Sequence, residues 1–255
     1  MDYIMQLLII CPLVFFAGLV DSIAGGGGII SLPAYVAAGV PYHMALGTNK
    51  FASTMGTSVA TARFIKNGKV NYKAAAVSVP AALFGSFLGA RLALMISETY
   101  LQYTLIVVLP FLAVFILKSG NFKKDESTKK ISDSAMLFLS FAAGFIIGGY
   151  DGFFGPGTGT FLILVFNAVI GFDILTSNGN AKVINLSSNA AALATFLYSG
   201  SVVIPIGVFA ALFGICGNYI GSGLALKKGI KLIRPIFIVV LSLLMAKVVY
   251  DLIMA

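Results

Sequence analysis

The chain has 255 residues, of which 59% are hydrophobic and only 10% charged, with a mean hydropathy of +0.99. It therefore has too little polar surface to cover a soluble globule of this length, and the lipid bilayer is its expected solvent. The net charge of +8 comes from short basic clusters between apolar runs. That distribution favours cytoplasmic loops of a membrane protein over a nucleic-acid-binding surface, so no nucleic acid is expected as a partner.

The first apolar run extends from Ile4 to Val20 and is preceded by Asp2 without any Lys or Arg. Because a cleavable secretory signal begins with a positive region, this run is expected to be a retained first span. Strands that alternate apolar and polar residues are absent, and lipid otherwise accepts only helices. The fold class predicted is an all-α polytopic membrane protein.

The apolar runs fall into ten segments, arranged as two units of five. The first unit has segments at about 4–22, 28–40, 43–64, 73–96 and 99–117. The second has segments at about 134–150, 158–171, 174–197, 202–226 and 233–253. We expect a first transmembrane repeat over 1–117, a basic cytoplasmic linker over 118–133 and a second transmembrane repeat over 134–255.

The two units resemble each other in sequence. At an offset of 130 residues Asp21 matches Asp151, each within a glycine-rich stretch. At an offset of 132 Lys50 matches Lys182, and further glycines follow in register. Such self-similarity is typical of transporters built from internal repeats.

The basic loops indicate how the two units are oriented. One cluster follows the third segment of the first unit, and another follows the fourth segment of the second unit; the equivalent loops of the opposite unit hold no Lys or Arg. The clusters are Arg63, Lys66, Lys69 and Lys73, and then Lys227, Lys228, Lys231 and Arg234. This exchange predicts two inverted repeats of five crossings each, with both termini extracytoplasmic. The alternative is that the short second segments re-enter, which would make the units parallel.

Few charges lie inside the predicted spans, and each is a candidate for function because charge is costly in lipid. They are Asp21, Lys50, Arg91, Asp151, Lys182 and Lys247. Inversion would bring Lys50 and Lys182 from opposite sides to one midplane site that attracts a small anion. The alternative is that each lysine pairs with the aspartate of its own unit, Asp21 with Lys50 and Asp151 with Lys182. Arg91 and Lys247 lie near span ends and are expected to snorkel to the interface.

Each unit is broken by glycines directly before its short segment, at 25–28 and at 155–159. Such breaks leave the free amides of a new helix pointing into the bend, where they attract anions. The substrate-binding residues predicted beside the lysines are Gly27, Gly28, Gly157, Thr158, Thr48, Asn49, Asn178, Asn180 and Asn185. Spacings such as Gly85/Gly89 and Gly217/Gly221 are instead interpreted as helix-packing sites.

No nucleophile motif, nucleotide-binding loop or metal-ligand spacing occurs in the sequence. An enzyme is therefore not expected, and neither a cofactor nor a metal is predicted.

The joint pattern resembles the TauE/SafE family of membrane transporters. It comprises Gly18-x-x-Asp21-Ser-x-Ala followed by four glycines, then Ala45-Leu-Gly-Thr-Asn-Lys50, with related motifs at 150–159 and 178–182. The resemblance covers nearly the whole chain and implies a plasma-membrane permease, with export of sulfite or organosulfonates. The second unit departs from the commoner pattern, with Gly-Pro-Gly-Thr-Gly at 155–159 and Asn-Gly-Asn-Ala-Lys at 178–182.

The function expected is a secondary transporter that exports a small anion, such as sulfite or an organosulfonate, from a bacterium across its plasma (inner) membrane. An interior-negative potential favours export of a monovalent anion by about 2.3 kcal/mol per 100 mV. Two alternatives stay open: a passive anion channel, and a cation-coupled or proton-coupled transporter that uses Asp21 and Asp151. A homo-oligomer is compatible with the sequence.

Overall fold

The structure is a computed structural model, which describes residues 1–98, 100–101, 131–229, 231–232, 235–236 and 239. Its regular elements within these ranges are all helices. In chain order they are α1 (Tyr3–Ala24), α2 (Gly28–Ala37), α3 (Tyr42–Lys66), α4 (Tyr72–Met95), α5 (Asp133–Phe153), α6 (Thr158–Leu164), a π-helical segment (Val165–Ile170), α7 (Ile174–Tyr198) and α8 (Ile204–Lys228).

The predicted segments that fall in the described ranges are confirmed as helices to within about three residues at each end. One detail differs. The predicted segment 158–171 is α6 followed by six π-helical residues, so it is not one regular α-helix. Nearly all of the predicted segments 99–117 and 233–253, most of the linker, and Lys247 lie outside the described residues.

Four of the described helices, α1, α4, α5 and α8, are long and apolar enough to cross a membrane. They also carry most of the large exposed apolar side chains, including Leu8, Phe84, Phe138 and Leu212. Helices α3 and α7 have 25 residues each, which is also a membrane-crossing length. They are more polar than the other four and are largely buried among them. Most of the polar groups of the interior therefore lie on α3 and α7.

Glycine backbone conformations create the two breaks. Helix α1 ends where Gly25 and Gly26 adopt φ of 75° and 83°, and α6 begins after Gly155 and Gly157 at 97° and 85°. Residues with a Cβ rarely adopt these angles, so glycine ends one helix and starts the next within a few residues. The two breaks also lie against each other, since a Cβ on Gly25 would overlap the backbone at 159–160.

Helices of the first half pack on helices of the second half in a reciprocal pattern. In the α4–α5 contact, a Cβ on Gly85 would overlap the carbonyl oxygen of Phe145. In the α1–α8 contact, a Cβ on Gly217 would overlap the carbonyl oxygen of Phe15. These two contacts join equivalent positions of the repeat. The interpretation of the Gly85/Gly89 and Gly217/Gly221 spacings as packing sites is therefore confirmed, because each of these four glycines lies against a backbone.

The order of contacts along each helix gives its direction. Residue numbers rise together along the α1–α8, α3–α8 and α4–α5 contacts, whereas α3 and α7 run antiparallel. The start of α3 lies against the loop after α7, where Gly47 meets Ser201, and the start of α7 meets the loop after α3, where Gly179 meets Lys69. Because α1 and α3 both run parallel to α8, the chain between them returns through α2.

Candidate functional site

A cavity of about 40 Å³ lies where the two glycine breaks meet, with room for a few water molecules. Every helix that borders it contributes small or polar residues. Asp21 and Gly18 come from α1, Lys50 and Asn49 from α3, and Asp151 from the end of α5. Both breaks, together with α7 and α8, complete the wall.

Lys50 is the cation of this cavity among the described residues. Its Nζ lies 2.9 Å from Oδ2 of Asp151 and donates a hydrogen bond of 3.0 Å to Oδ1 of Asn189. The side chains of Lys50 and Asp151 are each 3% exposed, so the ion pair is almost completely removed from solvent. A buried pair of this kind needs further hydrogen bonds to offset its desolvation.

Helix α7 supplies those hydrogen bonds. The Ser188 hydroxyl lies 2.6 Å from Oδ2 of Asp151 and 3.1 Å from the main-chain oxygen of Asn185. The Asn189 amide donates from Nδ2 to Oδ1 of Asn185 at 3.1 Å. That bond orients the Asn189 side chain so that its oxygen faces Lys50.

A second ion pair joins Lys182 of α7 to Asp21 of α1. Nζ of Lys182 lies 2.7 Å from Oδ2 of Asp21 and also donates to the main-chain oxygen of the same residue. The Lys182 side chain is fully buried, whereas the Asp21 side chain is 15% exposed. Asp21 lines the cavity and Lys182 does not. The second lysine therefore lies behind its aspartate as seen from the cavity.

The alternative pairing of Asp21 with Lys50 and of Asp151 with Lys182 is wrong. Each lysine pairs with the aspartate of the other half. The reason is geometric: α3 and α7 run antiparallel, and each crosses against the end of the broken helix from the opposite half. The sequence repeat shows which residues of the two units are equivalent. It does not show which residue of the other half each of them contacts.

The predicted substrate-binding residues divide into two groups. Seven of them line the cavity, together with both predicted coupling residues, Asp21 and Asp151. These seven are Lys50, Asn49, Asn185, Gly27, Gly28, Gly157 and Thr158. The other four do not line it; they are Lys182, Thr48, Asn178 and Asn180.

The three neutral residues of the second group bond to the backbone instead. Thr48 accepts a hydrogen bond from the Val203 amide at the start of α8. Asn178 donates to the main-chain oxygens of Ser22 and Ile23, which belong to the last turn of α1. Asn180 donates within its own helix. In this structure they hold helix ends in place around the cavity.

Sequence reasoning missed several polar residues of the site. They are Ser31, Ser53, Thr57, Ser188, Asn189 and Asn218. A signal existed in α7, where positions 178, 182, 185 and 189 follow the spacing of one helix face. A polar stripe on an otherwise apolar helix indicates a buried polar surface. Asn218 has no such neighbours in sequence; it occupies space left by Gly18 and Gly56.

The cavity also contains polar acceptors without a partner. Oδ1 of Asn49 and Oδ1 of Asn218 are buried and receive no hydrogen bond. The amide group of Asn218 donates to Gly214 in its own helix, which leaves its oxygen as the free acceptor. Buried acceptors of this kind need a donor from water or from a ligand. Among the described residues, no three His, Cys, Asp or Glu side chains come together in a metal-binding group.

Comparison with known proteins identifies the chain's relatives. The model of the family described as "Sulfite exporter TauE/SafE" matches residues 10–248. The chain belongs to the TauE/SafE family. Its membership makes it a membrane transporter, and the apolar helices agree with that assignment. No solved structure matches the chain.

Individual members of the TauE/SafE family are similar over most of their length. A Sinorhizobium protein named a probable membrane transporter protein is 36% identical, covering 93% of this chain and 90% of its own. Escherichia coli YfcA, which carries the same description, is 34% identical over 92% of this chain and 86% of its own. A Haemophilus influenzae probable membrane transporter protein is 35% identical over 93% of this chain and 92% of its own. These names describe membrane transporters and state no substrate.

Proposed function

We propose that this TauE/SafE protein is a secondary transporter that exports a small anion, such as sulfite or an organosulfonate, across the bacterial plasma membrane. The observation that carries the proposal is the ammonium group of Lys50, buried at the wall of a cavity between two glycine breaks. A buried cation at the wall of a cavity lined by polar groups can attract an anion, because charges interact strongly where water is scarce.

The backbone around Lys50 suits an oxyanion. Gly27 and Gly28 line the cavity at the start of α2, where the Gly27 amide lies 3.5 Å from Oδ1 of Asp21 and the N-cap residue offers no side-chain cap. The amides of Ile29 and Ile30 donate to the main-chain oxygens of Gly26 and Gly27, so the Gly28 amide is the donor available to a ligand at this end. Uncapped amides at a helix start carry partial positive charge and bind anions readily. Glycine has no side chain to keep a ligand away from these amides.

The arrangement of the halves supports alternating access. We propose that residues 1–117 and 134–255 are inverted repeats with five crossings each, and that both termini are extracytoplasmic. The reciprocal Gly85–Phe145 and Gly217–Phe15 contacts support this proposal, as does the antiparallel course of α3 and α7. Rocking of one inverted half against the other would expose a site between them to each side in turn. A passive channel would lack this conformational cycle.

Export is the direction named in the description of the family. For this chain, sulfite and the organosulfonates are substrate proposals, since the names of its relatives leave the substrate open. Both anions present three oxygens around one sulfur and carry negative charge that Lys50 could neutralise. The remaining site proposals are Asn49, Thr158 and Gly157 as contacts that line the same cavity.

A second candidate is a cation transporter that uses Asp21 and Asp151, with the lysines as internal counter-charges. One observation favours it: both lysines are already paired with carboxylates, and both carboxylates line the cavity. Flux that survives loss of Lys50 but stops in aspartate variants would support this candidate over anion transport.

Proteoliposomes test the leading proposal. Purified protein is reconstituted, and uptake of radiolabelled sulfite and of 2-hydroxyethanesulfonate is measured with and without a trans load of the same anion. We expect saturable uptake that the trans load accelerates, as in a carrier. Lys50→Gln should reduce it to the level of protein-free liposomes, whereas Lys66→Gln, at the exposed end of the same helix, should leave it unchanged. Full uptake by the Lys50 variant would reject the site.

A further inference from the structure

The charges around the cavity do not provide an unpaired cation for an added anion. Among the described residues the cavity wall contains one cation, Lys50, and two carboxylates, Asp21 and Asp151. Lys182 compensates Asp21 from behind the wall. An arriving anion would therefore have to share Lys50 with Asp151, and two negative groups on one buried ammonium are unfavourable.

The two carboxylates differ in whether a neighbouring group can accept a hydrogen bond from the protonated acid. Asp21 contacts the Lys182 ammonium and, at 3.5 Å, the amide of Gly27, which are both donors only. Asp151 contacts the Ser188 hydroxyl, which can either donate or accept. Neither of these two partners of Asp21 can accept a hydrogen bond from a protonated carboxyl group.

The Ser188 hydroxyl has one hydrogen and two acceptors within reach, Oδ2 of Asp151 and the main-chain oxygen of Asn185. With Asp151 ionised, the hydroxyl donates to the carboxylate. With Asp151 protonated, the acid donates to the hydroxyl oxygen, and the hydroxyl donates to Asn185. Ser188 therefore offers a hydrogen-bond partner to both protonation states of Asp151.

We propose that Asp151, and not Asp21, binds a proton when the anion binds Lys50, so that the protein carries one anion and one proton together without net charge. This inference rests on the proposed function. The proton bonds to Oδ2 of Asp151 from the aqueous side on which the anion enters. The bond between Lys50 and Asp151 is then replaced by one between Lys50 and the anion, while Asn189 continues to hold the ammonium.

No other charged group of the described residues competes for this role at Asp151. The charged groups on the elements around Asp151 are Lys50 on α3, with Arg63 and Lys66 in the last turn of the same helix, Asp21 on α1, Lys182 on α7, and Lys73 and Arg91 on α4. Lys73 pairs with Asp133 at the opposite end of α5, at 2.8 Å. Arg91 is exposed, with its guanidinium 5.4 Å from the ring of Phe87. The neighbouring Tyr150 donates its hydroxyl to the main-chain oxygen of Pro156.

Coupling of this kind changes what drives export. A neutral complex of anion and proton gains nothing from the membrane potential, because no net charge crosses. Net export then follows the concentration of the anion produced inside the cell and the pH difference across the membrane. The expectation that potential alone favours export is replaced by a dependence on pH.

The experiment uses the wild-type protein in liposomes that contain a pH-sensitive dye. The probe is 2-hydroxyethanesulfonate, which stays a monovalent anion between pH 5 and 9, so that a pH effect reports on the protein. An inward anion gradient should acidify the lumen by about one proton per anion, and a potassium diffusion potential set with valinomycin should not alter the flux. Flux that changes with potential and leaves the lumen pH constant would overturn the inference while the proposed function stood. No carrier flux of sulfite or of the sulfonate would overturn both.

Variants separate the two carboxylates. Asp151→Asn mimics the protonated form, and should carry the anion without lumen acidification and respond to the imposed potential. Asp21→Asn, whatever its rate per folded protein, should retain the ratio of about one proton per anion. Acidification that persists in Asp151→Asn and is lost in Asp21→Asn would overturn the inference.

Ser188 is a positioning residue in this scheme. Ser188→Ala removes the hydroxyl that serves as a partner of Asp151 in both protonation states, and should therefore move the pH profile of flux. Ser187→Ala is the matched control, because that hydroxyl bonds only to the main chain of its own helix. An unmoved pH profile in the Ser188 variant would count against the proton site, since a structural role alone would lower folded protein without shifting the profile.

Discussion

The ammonium of Lys50 lies 2.9 Å from the carboxylate of Asp151, so a charge on the first half is neutralised by a charge on the second. Lys182 and Asp21 repeat the arrangement with the halves exchanged. Two ion pairs therefore join the halves that the proposed alternating-access cycle would move. Any movement between the halves has to carry these pairs intact or exchange a partner for the substrate.

Removal of one member of the Lys50–Asp151 pair should destabilise the protein more than removal of both. Asp151→Leu leaves a buried ammonium without its counter-charge, which typically costs about 3–5 kcal/mol. The double variant Lys50→Met/Asp151→Leu should recover most of that loss, because no uncompensated charge remains. Thermal unfolding of the detergent-purified protein measures both effects.

The control for this rescue is the combination of Lys50→Met with Asp21→Leu. It removes the same kinds of side chain but leaves Asp151 and Lys182 each without a partner. We expect its melting temperature to lie below that of either single variant. If the melting temperature recovered in this combination and not in Lys50→Met/Asp151→Leu, each lysine would pair with the aspartate of its own half.

Lys182 should matter more for folding than for anion contact. Its side chain is fully buried and does not line the cavity. Lys182→Gln should reduce the yield of monodisperse protein, but the folded fraction should retain part of the anion flux. Lys50→Gln should abolish flux per folded protein. Equal losses per folded protein in the two variants would support the original prediction of a two-lysine site.

The sequence predicted the helices and the glycine breaks because both depend on local composition. Asp21, Lys50, Asp151 and Lys182 were found because a charge within an apolar run stands out. Their pairing was not predictable, since it depends on which helix of one half crosses which break of the other. Asn218 was missed for a related reason: its place is set by two glycines from α1 and α3.

The α4–α5 contact offers a test of close backbone packing. A Cβ on Gly89 would overlap the main-chain oxygen of Gly149, whereas a Cβ on Gly149 would meet its nearest neighbour at 3.5 Å. Gly89→Ala should therefore cost about 1–3 kcal/mol, because the helices must move apart. Gly149→Ala is the matched control on the same interface and should be nearly neutral. Similar melting temperatures for the two variants would contradict the packing described here.

The same reasoning applies to the equivalent contact between α1 and α8. A Cβ on Gly221 would overlap the main chain of Leu19 and the Ser22 hydroxyl, while the nearest neighbour of a Cβ on Gly214 would be 3.4 Å away. Gly221→Ala should lower the melting temperature and Gly214→Ala much less. If only the α4–α5 variant lowered the melting temperature, the two contacts would be equivalent in geometry but not in their contribution to stability.

Inversion of the halves is testable at one pair of equivalent residues. Asn67 and Ser199 are separated by 132 residues, the offset of the repeat, and both are exposed in loops after α3 and α7. In an inverted protein, equivalent loops face opposite sides of the membrane. A membrane-impermeant maleimide should label Ser199→Cys in intact cells, but Asn67→Cys only after permeabilisation, in a background with Cys216→Ser.

The loop charges explain why this direction is expected. Asn67 lies in the basic cluster with Arg63 and Lys66, and basic loops stay in the cytoplasm, whereas the loop at Ser199 holds no Lys or Arg. Labelling of both cysteines from the same side would make the halves parallel, and would conflict with the antiparallel course of α3 and α7. Labelling in the reverse sense would preserve inversion but place both termini in the cytoplasm. The two cysteines therefore report separately on how the halves are related and on how the whole protein is oriented.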